Sequence, residues 1–428
     1  MGRTFFPLLV LLLGLLPALS QAYPLDGYQD TGIRRLEYSR MANEGVIPGG
    51  KQPAGALLPT KDVDLRLLQH KDLDLPPPDP EFTRQIVGLL GQQADRYGVA
   101  VLDLSEPGHP RYAEHRGDFR QNVGSVGKLV AVLGLFQAMA DIWPDDLEQR
   151  RRILKETLVT GDDFTRTDHH KARLFDPETL RLVRKVLSVG DTGSLWEWLD
   201  WTLSLSSNSA ASMVMREAML MRRYGKDYPP SVEEAQRFFR ETPSKDLTEL
   251  FQKTFFEPVT RNGLDLEYLR QGSFFTQEGK RKVPGGATSY ATARELMKLL
   301  LRMEQGRLVD EFSSREMKRL LYMTERRIRY ASSPALDDGA VYFKSGSLYQ
   351  CKPEPGFKCA KYQGNVKNYM NSVAIVEYPA GERKLDYMVT LISNVLRKNS
   401  AVDHQTLATQ IQRIIAGTHD TATLRGHE

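Results

Sequence analysis

Read by the spacing of its apolar positions, the chain alternates between strand-like and helix-like stretches. From Glu81 to Arg96, Ile86, Leu89, Leu90 and Gln93 share one face at helical spacing, which predicts a helix. Tyr97 to Leu104 is a short apolar run typical of a strand. A turn at Glu106 to Pro110 precedes a second strand, Arg111 to Arg116. The middle of the chain then turns helical. Helices are expected at Leu129 to Ile142, Glu148 to Leu158, Pro177 to Leu187 and Leu195 to Leu205, then at Ala210 to Arg222, Ser231 to Arg240 and Leu247 to Phe256. A further one, Thr288 to Met303, has Thr288 placed as its cap. Strands return at Ala340 to Ser345, Asn371 to Tyr378 and Leu385 to Val395, with Pro379-Ala380-Gly381 turning between the last two. A closing helix, Ser400 to Ala416, carries Leu407, Ile411, Ile414 and Ile415 on one side. The pattern describes an α+β fold: a five-stranded antiparallel sheet flanked by terminal helices, with an inserted all-α region at about residues 119–305.

The pattern also sets the organisation of the chain. Arg3 followed by apolar Phe5 to Leu16 and by Ser20-Gln21-Ala22 reads as a secretory signal, residues 1–22, cut after Ala22. The expected location is therefore periplasmic or secreted. No cysteine near the cut calls for a lipid anchor, and no later segment is expected to span a membrane. Residues 23–80 are polar and turn-rich, with one short helix expected around Ile33 to Met41. Packing on the main domain, tethering and partner binding are all open for this extension. The domain proper spans 81–416, and 417–428 form a polar tail.

Composition narrows the class. Over 428 residues, 58 basic and 54 acidic side chains leave a net charge of only +4, and no long basic run marks a nucleic-acid surface. The two cysteines, Cys351 and Cys359, are an even pair in a chain expected to be exported, which permits a disulfide across a short loop; two unpaired thiols are the alternative.

Three short motifs carry the chemistry: Ser125-Val126-Gly127-Lys128, Ser206-Ser207-Asn208 and Lys344-Ser345-Gly346. A serine hydroxyl needs a base within hydrogen-bond reach, and three residues along a helix put Ser125 and Lys128 on one face. Lysine is a base only when neutral, so its pKa must be lowered by burial and nearby cations such as Lys344. Ser125 opening a helix has a free N–H suited to an oxyanion, with the Ser347 N–H as second donor. Ser206 is placed to relay a proton, and Asn208 to hold a substrate carbonyl and Lys128 together. Lys344 and Ser345 suit a substrate carboxylate, while Gly346 admits a close backbone. Taken singly, each motif is also an ordinary turn or helix cap.

Their order gives the set meaning. With YGVAVLDL, RYAEHRGDF, LSLSSNSAAS, GGATSYATARELMKLLL and VYFKSGSL around them, these motifs resemble the serine β-lactamase and penicillin-binding-protein superfamily, most closely its class A β-lactamase branch, from about Glu81 to Ala416. The resemblance implies Ser125 as the acylated nucleophile, Lys128 as its base and Ser206 as the proton relay. Asn208, Lys344 and Ser345 would bind substrate. Two departures stand out. Ser207 replaces the usual aspartate, and the E-x-x-L-N deacylation motif is absent; Glu267 or Asp265 in VTRNGLDLEYLRQ is the implied substitute.

Other features carry less. Asp168, His169 and His170 are possible metal ligands without a third partner at helical spacing, so no metal and no cofactor are expected. Trp196, Trp198 and Trp201 fit a core better than a sugar platform. The expected function is serine hydrolysis through Ser125, first of a β-lactam. A D-Ala-D-Ala peptidase acting on peptidoglycan peptides is the alternative, and a non-catalytic binding module on the same fold is a third reading.

Overall fold

The structure, a computed structural model, describes residues 26–324 and 327–425; the leader expected at 1–22 lies outside them. The polar extension is tied down. The short helix expected around Ile33 to Met41 is α1 (Arg34–Asn43). Ile33 and Leu36 are fully buried within the main core. Arg35 donates from Nε and Nη2 to the two oxygens of buried Asp200 at 2.6 and 2.5 Å, and from Nη2 to the Met323 carbonyl at 2.6 Å. Further on, Arg66 donates twice to buried Glu377, each at 3.0 Å.

Helix α2 (Pro80–Gly88) opens with the Asp79 side chain accepting from the Phe82 N–H. It ends before the expected Arg96, because Gly91 adopts φ 61° and a tight turn, Gly91–Arg96, follows. Strands β1 (Tyr97–Asp103) and β2 (Arg111–His115) then form the predicted hairpin. Helix α3 (Lys128–Ile142) begins the helical region, which also holds a hairpin of β3 (Lys171–Asp176) and β4 (Arg181–Val186), then α4 (Leu195–Leu203), α5 (Asn208–Tyr224), α6 (Ala293–Glu304) and α7 (Glu311–Tyr322). Strands β5 (Ala340–Gln350), β6 (Lys367–Tyr378) and β7 (Leu385–Asn394) complete an antiparallel sheet in the order β2-β1-β7-β6-β5, and α8 (Ser400–Arg425) closes the chain.

Both faces of the sheet are buried, which is why its strands read as nearly continuous apolar runs. Along β1, Val99 and Val101 pack toward α2 and α8, while Ala100 and Leu102 face the helical region. His404 of α8 is pinned between the hydroxyls of Ser372 and Ser393, each at 2.9 Å, and burial drives its pKa down to about 3.

Several expectations are corrected. Pro177 to Leu187 is the hairpin strand β4, not a helix: Val183 and Val186 favour extended backbone, and β3 supplies its partner. With this hairpin and two shorter two-stranded pairings among the described residues, the inserted region is predominantly helical rather than all-α. Thr292, not Thr288, caps α6 by accepting from the Glu295 N–H. Helix α7 had no expected counterpart, and α8 runs past Ala416. The three tryptophans of α4 are all core residues, at most 2% exposed. Segment Gly124–Ile142 is long and apolar enough to cross a bilayer, contrary to expectation, yet 78% of it is buried inside the protein.

Removing Asp200 strands the Arg35 guanidinium in the core. Asp200→Ala is expected to lower stability by about 3–5 kcal/mol, read from the midpoint of urea unfolding. An unchanged midpoint would show that the extension contributes nothing through this pair.

Candidate active site

The nucleophile sits on a tight turn, Gly124–Gly127, that runs directly into α3. This places Lys128 one turn beyond Ser125, with Nζ 2.9 Å from Ser125 Oγ. The lysine is fully buried. Its Nζ also donates to the Ser206 carbonyl at 2.6 Å and to Asn208 Oδ1 at 2.8 Å, and lies 3.4 Å from Ser206 Oγ. Ser206 holds a left-handed φ of 68°, a costly conformation for a non-glycine residue, and its carbonyl and hydroxyl both reach the lysine.

Lys344 comes from the middle of β5 and donates to Ser206 Oγ at 2.8 Å. Gly346 follows on the same strand against the nucleophile turn. A Cβ there would lie 2.1 Å from the Val123 carbonyl and 2.6 Å from the Ser125 nitrogen, so only glycine fits. The same approach puts the Ser347 nitrogen 3.5 Å from where a Gly124 Cβ would lie, next to the turn that carries the Ser125 amide. Ser345 and Ser347 hydroxyls accept from Arg329 at 2.7 and 3.0 Å. Arg329 escaped the sequence reading because it lies in an irregular stretch with no motif of its own. The structure joins Cys351 and Cys359 in a disulfide, Cα atoms 5.9 Å apart, on the segment that leaves β5.

Electrostatics favour a basic lysine. Burial lowers the Lys128 pKa to about 7, opposed by the negative charge of Asp168. Burial, with the charges of Lys128 and Arg329, holds Lys344 well below the usual lysine range. A substrate carboxylate entering beside Lys344 and Arg329 would reverse that shift.

Asp168 fills the gap left by Ser207. Its Oδ2 accepts from the Ser207 hydroxyl at 2.7 Å and the Ser209 N–H at 3.0 Å, and its Oδ1 accepts from His170 Nδ1 at 2.6 Å. Burial pushes the Asp168 pKa up, but the His170 interaction and the bonds from Ser207 and Ser209 outweigh it and keep the group ionised. Ser207 meanwhile accepts from the Ala210 N–H as the cap of α5. The ligand-type atoms of Asp168, His169 and His170 lie within 4.8 Å of one another, but both Asp168 oxygens are already engaged by protein donors.

Glu267 is a correction. It is 69% exposed, pairs with Arg120 at 3.4 Å, and does not line the cleft around Ser125. Asp265 instead caps its own turn through the Glu267 N–H. The segment that flanks the nucleophile presents Phe275, whose ring centre is 5.0 Å from Lys128 Nζ, and the Gln271 amide, packed against Gly127.

A half-buried Ser125 beside a buried Lys128 at the start of a core helix, with a lysine-bearing edge strand opposite, supplies the groups that serine acyl transfer requires. A family model described as the β-lactamase enzyme family matches residues 81–416, and the chain belongs to that family, within the serine β-lactamase and penicillin-binding-protein superfamily. Similar solved structures include PBP-A (14% identity, TM-score 0.48, covering 80% of this chain and 100% of that one). A β-lactamase from Chitinophaga pinensis shows 14% identity and a TM-score of 0.48, over 80% of this chain and 99% of its own. A class A β-lactamase from Bacteroides cellulosilyticus shows 16% identity and a TM-score of 0.48, over 81% and 100%. Comparison with curated protein sequences finds no match.

Only a neutral Lys128 can accept the Ser125 proton, so acylation of the free protein is expected to rise with pH through about 7 and level off above it. Asp168→Asn removes the charge that favours the ammonium, so the inflection moves to lower pH. A pH–rate profile of acylation checks both, and an unmoved inflection would detach Asp168 from the base.

Proposed function

We propose that this protein is an exported, periplasmic or secreted serine hydrolase that is acylated at Ser125 by β-lactams and releases the acyl group slowly, as a penicillin-binding peptidase does. The observation that carries the reading is Lys128, a buried amine 2.9 Å from Ser125 Oγ with its other contacts to Ser206 and Asn208. Lys128 takes the Ser125 proton as Oγ attacks the carbonyl carbon. The developing oxyanion is met by the Ser125 and Ser347 amides. As the C–N bond breaks, Ser206, hydrogen-bonded by Lys344, gives its hydroxyl proton to the leaving nitrogen and regains one from the Lys128 ammonium 3.4 Å away. The substrate carboxylate lies between Lys344, Ser345 and Arg329.

Slow release follows from the flanking segment. Among the described residues, an amide (Gln271) and a ring (Phe275) stand beside the nucleophile where activation of a water calls for a carboxylate. That favours peptidase-like turnover of a cell-wall peptide over rapid β-lactam hydrolysis. The Cys351–Cys359 disulfide supports an oxidising compartment.

Intact mass after addition of benzylpenicillin is expected to show one lasting adduct on the wild type and none on Ser125→Ala. An adduct that clears while penicillin is consumed would make the protein an efficient β-lactamase. No adduct on the wild type would overturn the β-lactam reading.

A further inference from the structure

The cleft over Ser125 has a charge pattern that the catalytic groups do not account for. It encloses about 730 Å³ and is lined by Lys171, Arg173, Arg184, Arg329 and Lys361, with no aspartate or glutamate among the described residues. The whole chain is nearly balanced, with 58 basic and 54 acidic residues, so a one-signed cleft is a local arrangement. Arg329 is engaged with the Ser345 and Ser347 hydroxyls. The remaining cations stand on two walls, the β3–β4 hairpin and the disulfide-bearing segment.

The hairpin is built to present them. In its register Arg173 is directly opposite Arg184, and Phe175 directly opposite Leu182. Opposed residues and those two apart share a face, so Lys171, Arg173 and Arg184 lie on the same side as Phe175 and Leu182. At the far end of that side, Phe175 packs edge-on against Tyr38 of α1 with ring centres 5.6 Å apart, and Leu182 joins the same cluster. The near end overhangs the cleft. Lys171 and Arg184 are exposed, and no carboxylate among the described residues pairs with either. Across the cleft, Lys361 stacks on the Tyr362 ring at 5.0 Å, with no acidic partner among the described residues.

We propose that the two walls form a second anion subsite, so that the preferred acyl donor carries a carboxylate on its acyl side in addition to the one held by Lys344 and Arg329. This inference rests on the acyl-transfer reading of the same site. Cations facing one another across a cleft with protein walls concentrate an anionic substrate more strongly than cations on an open surface. Each contact is solvent-accessible and individually small, and the subsite acts through their sum.

The test compares two penicillins that differ only in side chain, one neutral and one bearing a carboxylate. For the wild type, the second-order acylation constant is expected to favour the carboxylate-bearing compound by about fivefold to tenfold at low salt. The ratio should fall toward one in the K171A/R184A double variant and toward one in concentrated NaCl. The change should appear in the concentration dependence, not in the limiting rate. Equal constants for the two compounds in the wild type, or a preference that survives in the double variant, would overturn the proposal. If neither compound acylates the wild type, the acyl-transfer reading fails instead. Calorimetric binding of the same two compounds to Ser125→Ala protein then still decides the subsite, with equal affinities counting against it.

Discussion

Burying an amine is the constraint on which the rest of this site depends. Lys128 has no exposed surface, and its Nζ is surrounded by a hydroxyl, a carbonyl and an amide oxygen rather than a carboxylate. Burial penalises the ammonium, and neutral acceptors repay only part of its lost hydration, so the amine loses its proton near neutral pH. Each neighbouring feature preserves that balance. Ser206 tolerates a left-handed backbone, so that its carbonyl and hydroxyl both face the lysine. Lys344 is itself held low by burial and by the charges of Lys128 and Arg329, and Asp168 limits how far the Lys128 shift goes.

Asp168 links this centre to the parts of the chain that looked peripheral. It lies just ahead of the β3–β4 hairpin, and its carboxylate reaches Ser207 and Ser209 at the start of α5. The position that departs from the class A pattern is thus a two-part device. Ser207 caps the helix, and the negative charge arrives from a distant segment. The hairpin in turn leans on α1 through Phe175 and Tyr38, and α1 is anchored by the buried Arg35–Asp200 pair. A continuous set of contacts therefore runs from the N-terminal extension to the wall of the cleft over Ser125. The extension is part of the folded unit, tied again at Arg66 and Glu377.

Local pattern carried much of this into view. The strands of the sheet are legible because each alternates between two buried faces, and helix α3 because thirteen of its fifteen residues are buried among apolar neighbours. The three motifs were readable because each holds its chemistry within four residues, on a turn, a helix start or a strand. The β4 strand was misread because its run of Leu182, Val183 and Val186 fits either period until its partner is known.

What the sequence by itself determined is which candidate groups stand together and in what order: Ser125 with Lys128, Ser206 with Asn208, and Lys344 with Ser345 and Gly346. Short spacings on regular elements bring such groups together whatever the distant chain does. What only the tertiary structure decided is the company they keep. Asp168 brings a carboxylate to Ser207 and Ser209, Arg329 joins the Ser345 and Ser347 hydroxyls, and Glu267 is turned out to solvent. These placements depend on pairings between segments far apart in the chain, and no local periodicity encodes which of them will meet.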